Sequence, residues 1–578
     1  MTLTETPPAA PPPTPAAQPQ SATPARRRHS YPVLLLIALA AAFTVRLAFA
    51  ATDNSPSTDE TAYLRSGLSI WDGDGFRREG HSELHFPPLL PFVLGGVNEI
   101  TGDPHTATVV VTLITGTLLV LPLAAIARAA AGDRAGLATA WVVALSPGLT
   151  GLIVTRGGGS EAPYILMVAM AAWCAVVAAR TTERRWQLAA AAGTGAFVGL
   201  AYLTRPEGLL LGGVLFAFLV GTALGGWRAL RRFAITRANL RSAALVAVAF
   251  ALPLSVLAAP YVSYLHDKTG KLQLTAKTND ASIEAWRAVA EGDRRARDAV
   301  FYRLDEEGTG FVAERYSLMT LVKNDPDGYL GIVGVNVRRL FDTVVLPRNA
   351  PVPAWQLLPL PLTALGLWAA WRGRRNRIVL LTLAVGAVPL ATSLAFFVQP
   401  RYLVPPTALL CVLVGIGFSW LSIAWRRVFA AGGAVLIVFS LAMEFEGDGW
   451  FHPREHVEHK AVGEWLNEHL EPDERIMTRS MVVEFYADRE AVAMPYSGLQ
   501  PLLRFAHHHG VRYLVADEYQ LRSYRPQLGV LFEDGPWPGL HLVYEREMEG
   551  RLVRVFAVNP EPLVLLPGFP PLGFVGDD

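Results

Sequence analysis

The sequence predicts a mainly α-helical, polytopic membrane protein with a small α/β domain outside the membrane at its C-terminal end. Three observations carry this reading. Of the 578 residues 51% are hydrophobic and only 17% charged, and the apolar excess is gathered into long blocks. Arginines fill every second loop between those blocks. Beyond residue 445 the blocks stop, and short strand-like and amphipathic helical patterns replace them.

Residues 1–30 open the chain with Pro, Ala, Thr, Gln and Ser, a composition with too little apolar area to offset the entropy of ordering, so a disordered cytoplasmic tail is expected. Arg26, Arg27 and Arg28 precede an apolar run at 31–50, which is long enough to cross the hydrocarbon layer and so predicts a retained first helix rather than a cleaved signal. Further runs of spanning length lie at 106–127, 135–154, 162–179, 187–204, 207–225, 242–261, 352–371, 377–398, 403–424 and 428–444. Eleven spans are expected within a membrane domain of 31–444, although the two runs flanking TRPEG read equally as one broken segment.

Orientation follows from the short loops. Arg128 and Arg134; Arg180, Arg184 and Arg185; the five arginines from Arg228 to Arg241; the four from Arg372 to Arg377; and Arg426 with Arg427 all fall on one side. Only Asp133 and Glu183 accompany them, so this side is cytoplasmic. The outer loops 51–105 and 262–350 and the tail 445–578 then face out, in a multi-pass protein of the cytoplasmic membrane. Nothing in the +1 net charge forms a basic surface of domain size, which excludes a nucleic-acid partner. Cys174 and Cys411 both lie in apolar segments, so no disulfide framework exists. In the tail, RIMT, VRYLVAD, LHLVYERE and RLVRVFAV read as strands, 453–470 and GLQPLLRFAHHH as helices. No GxGxxG, P-loop or GxSxG occurs there, so the chemistry is expected elsewhere.

Candidate chemistry gathers on the outer side. Asp59 and Glu60 stand in PSTDETAYLR directly after the first span, where carboxylates are costly unless solvated or partnered. Either they cap the helix that begins there, a role that suits Glu60 more than Asp59, or they serve a site. In HSELHFPP the two prolines form a rigid turn that would return Glu83 and His85 toward Asp59, as a cluster able to order a hydroxyl or hold a divalent cation, although the spacing matches no metal motif. Tyr63 is expected to pack the first-loop helix beneath the site. Arg156 and Glu161 in TRGGGSEAPY, Arg205 and Glu207 in LTRPEG, Lys277 in LQLTAKTND, and Arg401 and Tyr402 in QPRYLVPP supply charge against the local bias of the outer face. Any one arginine alone reads equally as an interfacial anchor or a structural ion pair. In the tail His452, His456 and His459 read as a solvated helix face, and the run His507, His508, His509 cannot converge on one ion.

Taken in order, the Arg-flanked first helix, DExxY in the first outer loop, HxPP, TRPEG, a late RYLxP and an outward C-terminal domain resemble the GT-C glycosyltransferases over residues 30–445. More narrowly the chain is similar to glycosyltransferase family 39, which includes dolichyl-phosphate-mannose protein mannosyltransferases and lipid A aminoarabinose transferases. The resemblance implies transfer of a monosaccharide from a polyprenyl-phosphate carrier to an acceptor hydroxyl of a protein, lipid or polysaccharide on the outer face. It places the catalytic base on Asp59, with Glu60 beside it, and makes Glu83 and His85 loose equivalents of a divalent-metal site in the lipid A branch. The residues suit such a reaction. An attacking alcohol needs one carboxylate base, and a phosphate leaving group needs cations rather than a second, acidic carboxyl. A flippase for a lipid-linked sugar would instead place ionisable groups in mid-span within repeated halves, and a non-catalytic envelope scaffold would leave Asp59 without a role.

Overall fold

A computed structural model describes residues 30–51, 56–78, 81–146, 148–150, 159–225, 236–276, 287–288, 291–312, 318–344, 359–372, 376–396, 398, 400–445, 457–548 and 550–559. Among these, seven helices are long and apolar enough to cross a membrane: Ser30–Ala50, Pro104–Ala131, Glu161–Arg180, Arg184–Thr204, Arg237–Thr269, Arg377–Ala395 and Arg401–Trp420. The other four of the eleven expected segments are helical as well in the described residues, at Asp133–Leu145, Gly208–Ala223, Pro359–Arg372 and Ile423–Phe445. Gly132, at φ 87°, separates Pro104–Ala131 from Asp133–Leu145, and Pro206 keeps Arg205 extended and so ends Arg184–Thr204.

Small residues set the helix crossings, as expected where no water drives helices together. A Cβ on Gly195 would lie 1.9 Å from the Phe250 carbonyl oxygen, one on Gly366 2.2 Å from that of Leu413, and one on Gly417 2.0 Å from that of Leu362. The first outer loop uses the same device. Helix Thr58–Trp71 packs on Leu89–Thr101 through Gly67 and Gly95, where a Cβ on Gly95 would meet the Gly67 oxygen and Trp71 Cδ1 at 2.4 Å each. Between the two helices β1 (Arg77–Arg78) and β2 (His81–Ser82) pair antiparallel.

In the C-terminal domain β3 (Arg475–Thr478), β4 (Ala491–Ala493), β5 (Val511–Asp517), β6 (Leu540–Met548) and β7 (Arg551–Val558) form one sheet in the order β4-β3-β5-β7-β6. The pairs β3–β4 and β3–β5 are parallel, while β5–β7 and β6–β7 are antiparallel. The four strands expected from the sequence are β3, β5, β6 and β7. The three-residue β4 and the helix Met481–Ala487 are too short for a periodic signal.

Part of the outer loop 262–350 belongs to this domain rather than to the membrane part. Asp298, buried on the helix Arg294–Phe301, accepts from Arg479 at 2.8 Å and Arg525 at 3.2 Å, the Tyr496 amide donates to the Tyr302 oxygen, and Phe311 lies on Phe505. The domain rests on the first outer helix: Arg65 donates to the Glu484 oxygen at 2.6 Å, and Met481 and Phe485 pack against the cluster of Ala62, Tyr63, Leu64 and Phe86. His459 departs from its expectation. It is buried, with Nε2 2.8 Å from Asp517 and Nδ1 3.1 Å from the Ser480 hydroxyl, because its helix covers the carboxyl ends of β3 and β5. His452 and His456 lie outside the described residues.

The Gly67–Gly95 approach predicts that Gly95→Val destabilises the fold by about 1–3 kcal/mol through overpacking. Thermal unfolding of the detergent-solubilised protein checks it, with Gly213→Ala, which meets nothing within 4 Å, as the variant that leaves Tm unchanged.

Candidate functional site

The helix Thr58–Trp71 starts where Ser57 stays extended, and the Ser57 amide donates to Glu60 Oε2 at 3.1 Å. Glu60 Oε1 meets His105 Nδ1 at 3.0 Å, and both residues are buried. Glu60 is thus a capping and anchoring carboxylate. One residue earlier, Asp59 points another way. Its Oδ2 accepts a hydrogen-bonded ion pair from Arg401 Nη1, across 342 residues of sequence. Arg401 lies in the turn Pro400–Leu403 ahead of the helix Val404–Trp420, and its Nη2 donates to the Tyr402 hydroxyl at 3.2 Å. The Asp59 side chain keeps 36% of its surface and that of Arg401 24%, so incoming groups can reach both.

A second, drier pair adjoins the first. Arg205, extended at the end of Arg184–Thr204, donates from Nη2 to Glu161 Oε1 at 2.6 Å and from Nε to the Ser160 hydroxyl at 3.1 Å. Its guanidinium carbon sits 5.7 Å from the ring centres of both Tyr164 and Tyr402. Through Tyr402, which both arginines contact, the two ion pairs form one assembly. Tyr63 joins it from below: it is buried against Phe86 at 4.5 Å, its hydroxyl bonds Ser160, and it feels the charges of Arg205 and Asp59. Burial pushes the Tyr63 phenol well above its usual range, against the pull of Arg205, so it stays a protonated donor. Glu207, which precedes the helix Gly208–Ala223, lies within electrostatic reach of Arg205 and of the Tyr164 hydroxyl.

Of the residues singled out in the sequence, Asp59, Tyr63, Glu161, Arg205, Glu207, Arg401 and Tyr402 therefore share one site. Arg156 and Lys277 lie outside the described residues. Glu83 is engaged within the first outer loop. It is buried in its own loop, where it accepts from the His85 amide at 2.6 Å, the Phe86 amide at 3.1 Å, Arg78 at 3.0 Å and the Ser66 hydroxyl at 3.4 Å, while the His85 ring stands edge-on to Phe86. A carboxylate committed to two amides and a guanidinium does not fit a metal ligand, so no step is derived through an ion there.

Among the described residues one other group has metal-ligand geometry, Glu458, His459 and Asp517 in the C-terminal domain. His459 is already bonded on both ring nitrogens, and Glu458 is paired with Arg551 at 2.9 Å, so this group closes as a protein network. Three residues went unnoticed in the sequence. His105 follows Asp-Pro at a helix start, and Ser160 and Tyr164 flank Glu161; only adjacency to the charged motifs could have marked them. Arg46, in the first span, also went unnamed, although a charge in an apolar run marks it. It is fully buried and donates to the carbonyls of Ala42, Val143, Ala144 and Leu149 at 2.9–3.2 Å, closing the carbonyl end of Asp133–Leu145.

Helices long and apolar enough to cross a membrane thus meet in one charged assembly, with a mixed-sheet domain packed on the helix Thr58–Trp71. The family model for dolichyl-phosphate-mannose-protein mannosyltransferases matches residues 85–256. No curated protein matches the sequence. Among solved structures, the oligosaccharyltransferase AglB from Archaeoglobus fulgidus, in complex with an inhibitory peptide and a dolichol-phosphate, superimposes with a TM-score of 0.57 at 14% identity over 86% of this chain and 70% of its own. ArnT from Cupriavidus metallidurans, bound to undecaprenyl phosphate, does so with 0.54 at 13% identity over 90% and 97%. These likenesses show that the chain shares the fold of these structures, and the family-model match covers residues 85–256 alone.

The Glu161–Arg205 pair predicts that Glu161→Ala, which strands a buried guanidinium, costs about 3–5 kcal/mol, whereas the double variant Glu161→Ala with Arg205→Ala recovers part of the loss. Thermal unfolding of the four proteins of this cycle reads the coupling.

Proposed function

We propose that the protein transfers one sugar from a polyprenyl-phosphate carrier to an acceptor hydroxyl on the outer face of the cytoplasmic membrane. The observation that carries this reading is the Asp59–Arg401 ion pair, partly exposed and adjoining the Arg205–Glu161 pair. One accessible carboxylate beside two guanidiniums suits an alcohol nucleophile and a phosphate leaving group. The fold supports the donor class, since relatives of this fold were solved with dolichol-phosphate and with undecaprenyl phosphate.

In the reaction the acceptor oxygen attacks the anomeric carbon, its proton passes to Asp59, and the bond from that carbon to the phosphate oxygen breaks. The electron pair leaves with the carrier phosphate, and the single displacement inverts the anomeric centre. Arg401, with Arg205 and Lys277, binds the charge that grows on the phosphate. In the structure Arg401 is occupied by Asp59, and an incoming phosphate competes for the same guanidinium. Donor binding thereby releases Asp59 as the acceptor arrives. Glu60, bonded to Ser57 and His105, holds the start of the Asp59-bearing helix and does not itself move a proton.

Transfer from a panel of radiolabelled polyprenyl-phosphate sugars to membrane acceptors tests this. Asp59→Asn is expected to lower the rate about a hundredfold to ten-thousandfold, the range of a lost general base. Transfer at the parental rate would remove Asp59 from the chemistry. Product of retained anomeric configuration would contradict the single displacement.

A further inference from the structure

We infer that Tyr164 and Glu207 form the subsite that reads the hydroxyl groups of the transferred sugar, on the side of Arg205 opposite in role to the phosphate-binding Arg401. This rests on the glycosyl transfer proposed above. Tyr164 is 2% exposed, yet its hydroxyl has no hydrogen-bond partner, and Glu207 Oε2 is a buried oxygen that has none either. Buried polar atoms are almost always paired, so two orphans beside one guanidinium call for a ligand. They stand where two helices begin, Glu161–Arg180 and Gly208–Ala223, and within electrostatic reach of each other.

Charge decides the class of ligand. Arg205 is already neutralised by Glu161 and bonded to Ser160. Beside Tyr164 the carboxylate of Glu207 adds negative charge, which favours neutral donors of hydrogen bonds over a second anionic group at this corner. The Tyr164 hydroxyl offers a donor and Glu207 Oε2 an acceptor, the complementary pair that a sugar hydroxyl, both donor and acceptor, satisfies. The phosphate end of the donor then lies at Arg401, beside the base, and the hydroxylated face of the ring at Tyr164 and Glu207. A site of this kind discriminates strongly against an analogue that lacks the bonded hydroxyl, because the protein groups are left buried and unpaired.

The test uses the full-length protein in detergent and the polyprenyl-phosphate sugar it transfers best from a panel of hexose and pentose donors. That donor is compared with its monodeoxy analogues in the parent, Tyr164→Phe and Glu207→Met, with binding of sugar-free undecaprenyl phosphate measured alongside. In the parent at least one deoxy position is expected to lower kcat/KM about tenfold to a hundredfold. In the variant that lacks the matching protein group the same deletion is expected to change it by less than about threefold, the signature of coupled partners. Carrier binding stays at the parental value in both variants. Losses that multiply independently would overturn the subsite and leave Tyr164 and Glu207 holding a structural water. Loss of carrier binding in either variant would overturn it as well, by placing them on the phosphate side. A parent that transfers from no donor of the panel would instead bring down the transfer reading itself, and this subsite with it.

Discussion

The ion pair between Asp59 and Arg401 is the contact on which the rest of the site depends. It ties the first outer helix to the turn ahead of the helix Val404–Trp420, so the beginning and the end of the membrane part meet at one point. With a quarter to a third of each side chain exposed, such a pair contributes about 1 kcal/mol or less to stability. Its weakness suits its place. A doubly or singly charged phosphate is a better partner for a guanidinium than one carboxylate is, so the pair is stable enough to organise the site and weak enough to open for a ligand.

Around this soft contact the surroundings are rigid. Arg205 is held by Glu161 and Ser160, Tyr63 lies buried against Phe86, and the Gly67–Gly95 contact leaves no space for the first outer helix to slide. From above, the C-terminal domain fixes the same helix through Arg65, Met481 and Phe485. The domain itself holds the outer-loop residue Asp298 between two arginines. It packs on the face of Thr58–Trp71 that carries Ala62 and Tyr63, next to Asp59.

Much of this was legible in the sequence, for physical reasons that differ by element. Arginines against the outward bias singled out Arg205 and Arg401, because a charge at the wrong side of a membrane needs a partner. Alternation disclosed the strands of the C-terminal sheet except β4, whose three residues give no period. The apolar runs 106–127 and 135–154 were separated where the chain turns at Gly132, but hydropathy gave no helix ends, which the caps and turns set. Spacing along a loop does not say whether a carboxylate folds back onto its own amides, as Glu83 does. His459 was hidden for the opposite reason. Its burial comes from Ser480 and Asp517, distant in sequence and brought to the strand ends only by the sheet.

The most direct measurement is the affinity of the purified protein for undecaprenyl phosphate, which carries no sugar and so reports the phosphate contact alone. If Asp59 occupies the guanidinium that the carrier phosphate needs, Asp59→Asn binds the carrier more tightly than the parent, by about tenfold or less given the modest worth of an exposed pair, while Arg401→Ala binds it more weakly. Unchanged or weakened binding in Asp59→Asn would contradict the competition between base and carrier phosphate for Arg401.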